Sequence, residues 1–114
     1  MTAEAEYRDY LQDMLEATEK VAVFIAGMTE AAFRADERTQ FAVVRALEIL
    51  GEASKKIPAS FKAGHSEIPW REIAGMRDKL VHDYFGVNAA VVWRTATEDV
   101  PSIARALREA AAAD

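Results

Sequence analysis

Apolar residues return at intervals of three and four along most of this chain, the spacing of one helix face. From Glu4 to Ala26 the positions are Tyr7, Tyr10, Leu11, Met14, Thr18, Val21, Ala22 and Ile25. Charged residues fill the opposite face, and Gly27 follows the last apolar position as a stop signal. A second stripe, Val43, Leu47, Leu50, Ser54 and Ile57, predicts a helix from Asp36 to Ile57 that Pro58 ends. Gly51 lies inside it at a cost of about 1 kcal/mol relative to alanine, which a close helix–helix approach would explain. The segment Ala59 to Ile68 is polar, carries Gly64 and Ser66, and reads as a loop. Pro69 fits the first position of a third helix running to Tyr84, with Gly86 as its end cap. A fourth helix from Asn88 carries Val91, Val92, Ala96 and Val100. Pro101 either kinks it or begins a fifth helix through Ile103, Leu107 and Ala110. No strand alternation, repeat or linker interrupts the pattern. The prediction is a single all-α domain over residues 1–114, an antiparallel up-down bundle of four to five helices.

Composition narrows the chemistry. The length of 114 residues suits one core. With no cysteine, neither a disulfide nor a thiolate metal site can form. There are two histidines, no clustered carboxylates beside them and no Gly-rich phosphate loop, so neither metal nor cofactor is expected. No apolar run approaches the roughly 18 residues that span a bilayer. The acidic start, MTAEAEYRDY, lacks the features of a secretory signal, so a cytoplasmic protein without membrane contact is expected. The net charge of −5 weighs against nucleic-acid binding by bulk attraction, although not against a small basic site.

One stretch breaks the pattern. In "MRDKLVHDYFG" (residues 76–86), Arg77 falls near the centre of the stripe formed by Trp70, Ile73, Ala74, Leu80, Val81 and Tyr84. An unpaired buried guanidinium costs several kcal/mol. Arg77 must therefore pair with a carboxylate, Glu48 or Glu52 being the candidates, or else line a cleft or interface. His82 lies about 140° from Arg77 on an ideal wheel, so the two do not share a face. Read singly, His82 is a surface residue at a helix end. His65 reads as exposed in its loop, and Trp70 and Trp93 as core or interface anchors.

Read together, Arg77, His82 and Tyr84 spell Arg-x4-His-x-Tyr, with Asp78 directly after the arginine. That motif resembles the signature of HEPN-domain ribonucleases, specifically the HepT-like toxins. "VVRALEILGEASKKI" (residues 43–57) is similar to the second-helix block of that family. "PWREIAGMRDKLVHDYFGVNAAVVWRTATEDVPSI" (residues 69–103) is similar to its third and fourth helices. The likeness extends over about two-thirds of the chain.

The resemblance implies metal-independent endoribonuclease chemistry, in which a ribose 2′-OH attacks the adjacent phosphate to leave a 2′,3′-cyclic phosphate and a free 5′-OH. The residues suit it. A histidine, with an ordinary pKa of about 6.5, exchanges protons near neutral pH. An arginine presents a permanently charged fork that matches phosphate. His82 and Arg77 are the expected catalytic residues. Asp78, four residues before His82, either orients the imidazole or is simply a solvated acid. Tyr84 could pack, bond substrate or be modified. The resemblance implies that it is adenylylated by a partner nucleotidyltransferase acting as antitoxin. It also implies a homodimer with the motifs facing each other. The competing expectation is a non-catalytic dimeric module that docks a partner or a nucleotide, which the acidic charge favours.

Overall fold

In a computed structural model of the chain, the described residues are 3–84 and 88–113 for the backbone, and 7–76, 78 and 88–112 for the side chains. Among them there is no strand. The helices are α1 (Ala3–Ile25), α2 (Glu30–Arg34), α3 (Glu37–Ser54), α4 (Ala59–Gly64), α5 (Trp70–Tyr84), α6 (Ala89–Arg94) and α7 (Val100–Ala113). A π-helical turn, Thr95–Asp99, joins α6 to α7 without a break. The long helices α1, α3, α5 and the α6–α7 rod form the all-α up-down bundle expected from the stripes. The expected end cap, Gly86, lies outside the described residues.

Local signals explain the boundaries. After α1, Gly27 takes φ +76°, a left-handed conformation that closes the helix end without a Cβ penalty. Asp36 caps α3, accepting from the Thr39 backbone N–H at 3.1 Å and from its hydroxyl at 2.7 Å. Those two bonds hold the Asp36 carboxyl below its ordinary pKa. Asn88 caps α6 through the Val91 N–H at 3.2 Å.

The interior follows the stripes. Met14, Val21, Val43, Leu47, Leu50, Ile73 and Leu107 are fully buried. Each contributes about 1.5–3 kcal/mol by leaving water. Two polar residues of the stripes are buried as well and satisfied locally. The Thr18 hydroxyl donates to the Leu15 carbonyl, and the Ser54 hydroxyl to that of Gly51, both at 2.7 Å.

Two short helices depart from the sequence expectation. The segment read as a loop begins with α4, where Pro58 at φ −62° sets the first turn and Phe61 turns into the core. Between α1 and α3, α2 starts at the Thr29 cap and buries Phe33 against Trp93, ring centroids 5.3 Å apart. The α3 helix ends at Ser54, short of the expected Ile57, although Ile57 is buried as its stripe position requires.

Candidate active site

The motif-bearing helix is fixed at its foot by aromatic contacts. Trp70 opens α5, and its indole N–H donates to the His65 carbonyl at 3.0 Å. Its ring meets Phe61 edge-on at 6.1 Å, and Lys62 Nζ lies 5.8 Å from its centroid. His65 stacks on Phe61 at 4.1 Å and places Nδ1 3.0 Å from the Phe61 carbonyl. Tyr7 closes the cluster from α1, 5.0 Å from Phe61.

These contacts correct the reading of His65 as exposed: it is half-buried and caps α4. The signal for this was the Phe61-to-His65 spacing of four, which stacks two rings on one helix face. Trp70 is an anchor, as its helical spacing suggested.

Above the foot, Ile73 and Met76 are buried and hold α5 against α3. Gly75 is exposed, and a methyl group built on it would meet nothing within 4 Å. Asp78 is exposed as well. By register, positions 75, 78 and 82 form one row along α5, three and four residues apart. The side chains of Arg77, His82 and Tyr84 lie outside the described residues. The backbone that carries them remains α-helical through Tyr84. Positions 77 and 82 are therefore about 140° apart around one regular helix. Of the two carboxylates considered as partners for Arg77, Glu48 lies 3.4 Å from Arg45 Nη1 on its own helix. Glu52 sits half-buried one turn further along α3.

Among the described residues no three metal-ligating side chains come together, and no helix is long and apolar enough to cross a membrane.

A family model described as "Ribonuclease HepT-like" matches residues 14–110. A protein of Thermococcus cleftensis named "Probable ribonuclease HepT" is 56% identical over 97 residues, covering 85% of this chain and 88% of the relative. A "Putative RNase" of Caldanaerobacter subterraneus subsp. tengcongensis is 42% identical over 102 residues, covering 90% of this chain and 91% of its own. A "Putative RNase" of Methanocaldococcus jannaschii is 42% identical over 98 residues, with 86% and 81% covered. No solved structure matches the chain.

Proposed function

The chain belongs to the HepT-like ribonuclease family, and from that membership we propose that it is a metal-independent endoribonuclease toxin neutralised by a nucleotidyltransferase. The observation that carries this reading is the match over residues 14–110, which includes the whole Arg77–Tyr84 motif. His82 takes the proton of the attacking 2′-OH, and a proton returned to the departing 5′-oxygen completes the step. Arg77 bonds the non-bridging oxygens and offsets the charge they gain in the transition state. Asp78, at register i−4 from His82, supports the imidazole.

A regular α5 favours a two-copy site. A single helix aims positions 77 and 82 in different directions, whereas two α5 helices related by a two-fold axis bring Arg77 of one copy toward His82 of the other. The homodimer then forms an RNA groove whose two Arg77 guanidiniums set local positive charge within the acidic whole. For control, the antitoxin joins AMP from ATP to the Tyr84 hydroxyl and releases pyrophosphate. The added nucleotide is bulky and anionic, and it blocks RNA by sterics and like charge.

The test is cleavage of RNA by purified His82→Ala and Arg77→Ala proteins, with helicity checked by circular dichroism. Each should lose at least about 100-fold in rate and cease to arrest growth on expression. Full cleavage by either folded variant ends the assignment. Intact mass after co-expression with the proposed nucleotidyltransferase antitoxin tests the regulation. Wild type should gain adenylyl groups, and Tyr84→Phe should gain none and escape inhibition. An unmodified mass alongside complete neutralisation would mean that inhibition works by binding alone.

A further inference from the structure

The last turns of α1 are apolar on more than the inward side. No charged residue stands between Lys20 and Glu30. Val21 is fully buried, yet Val23 is 72% exposed and Phe24 38%, with Ala22 and Ala26 exposed beside them. A helix apolar around its circumference is normally covered on every side, and a contiguous apolar patch marks an interaction surface.

Ala22 and Val23 of this patch line a groove of about 630 Å³ between α1 and α7. Glu19 and Val23 stand on the α1 wall, and Pro101, Arg105 and Arg108 on the α7 wall. The two helices run antiparallel: Arg8 and Leu11 share a cavity with Ala111, whereas Val23 shares this groove with Val100 and Pro101. One end of the groove is therefore apolar. The other is charged, with opposite signs on opposite walls. Among the described residues, Glu19, Arg105 and Arg108 form no ion pair.

Such a surface is complementary to itself. A two-fold axis running along the groove lays α1 of each copy over α7 of the other. That operation sets Glu19 of one copy against the arginines of the other at the same height, and apolar end against apolar end. An axis across the groove would instead lay α7 on α7 and set the charged end of each copy against the apolar end of the other.

We infer that the α1–α7 groove binds a second copy of this chain, with Glu19 of each copy paired to Arg105 and Arg108 of the other and the exposed Val23 covered. The contact is separate from the proposed α5 pairing and uses no residue assigned to cleavage. A chain engaging both faces assembles beyond a dimer.

Molar mass by light scattering and sedimentation at micromolar concentrations tests this. Val23→Glu, at an exposed position that the fold tolerates, should halve the wild-type mass. Glu19→Arg should do the same, and adding Arg105→Glu and Arg108→Glu to it should restore the larger species. A wild-type monomer, or a mass that Val23→Glu leaves unchanged, overturns the inference, as does a triple variant that stays dissociated. A Val23→Glu dimer that still cuts RNA supports both faces. A Val23→Glu monomer supports this face and removes the α5 pairing. Absence of cleavage by wild type counts against the proposed function and leaves the mass comparison standing.

Discussion

Gly75 is the residue where stability and function separate most cleanly. It is exposed in mid-helix with open space around it, so packing does not require it. Alanine there should stabilise the fold by up to about 1 kcal/mol. It shares a row with Asp78 and position 82, where a bare backbone lets a ribose–phosphate chain or a second α5 approach closely. Gly75→Ala is therefore expected to raise the melting temperature and lower the cleavage rate. Equal cleavage by the two proteins would make Gly75 incidental. Asp36 yields a prediction in pH. Its carboxyl titrates below its ordinary range, chiefly because the Thr39 hydroxyl and N–H bond the ionised form. The cap's contribution is thus complete above the unfolded pKa and declines as pH falls through the depressed folded value. The melting-temperature gap between wild type and Asp36→Ala should be widest near neutrality and narrow in acid. The motif residues were legible in the sequence because Arg-x4-His-x-Tyr is a local pattern. Their joint geometry was not, because a regular helix sets positions 77 and 82 about 140° apart and the arrangement proposed to reunite them involves another copy.

Among the elements, α1, α3 and α7 could be read from periodicity because each buries one continuous stripe over three turns or more. The short α2 and α4 could not. Each is held by one aromatic, Phe33 or Phe61, whose burial depends on the helices around it. The π turn was hidden for another reason. Val92, Ala96 and Val100 are spaced four apart, which an α-helix also tolerates with a slow drift. In the folded chain Pro101 lies one residue beyond the wide turn. It lacks the N–H that would bond a carbonyl one turn back, and its ring crowds that carbonyl. The turn accommodates it, and the Thr95 and Thr97 hydroxyls donate to the carbonyls of Val91 and Trp93 at 2.9 and 2.8 Å. At the other end of this rod, Asn88→Ala removes the α6 cap and should cost about 1 kcal/mol in chemical denaturation.

At the scale of the whole molecule, a two-copy groove makes a prediction that a one-copy site does not. Arg77→Ala and His82→Ala proteins, each inactive, should recover activity when mixed and allowed to exchange. Half of the resulting dimers are mixed and each holds one complete Arg77–His82 pair, so the expected rate is about one quarter of wild type. No recovery after demonstrated exchange would place the pair within one chain. Chelators should leave wild-type cleavage unchanged, since the proposed chemistry assigns its charge stabilisation to Arg77. Strong inhibition by a chelator would require a cation in the mechanism.

The wide turn between α6 and α7 also bears on how the chain tolerates changes in length. Removing one residue from a regular helix rotates everything beyond it by about 100° and swings its buried side away from the core. The segment Thr95–Asp99 already holds a surplus residue. Deleting Glu98 would bring Val92, Ala96, Val100, Ile103, Leu107 and Ala110 to spacings of four, three, three, four and three, the phase of an ordinary α-helix. Pro101 is the remaining obstacle, because it would then sit in an unbroken α ladder. The deletion combined with Pro101→Ala should fold and melt cooperatively, whereas a one-residue deletion in the middle of α3 should not. This rod can thus lose a residue, provided Pro101 changes with it, without losing its alignment with the core.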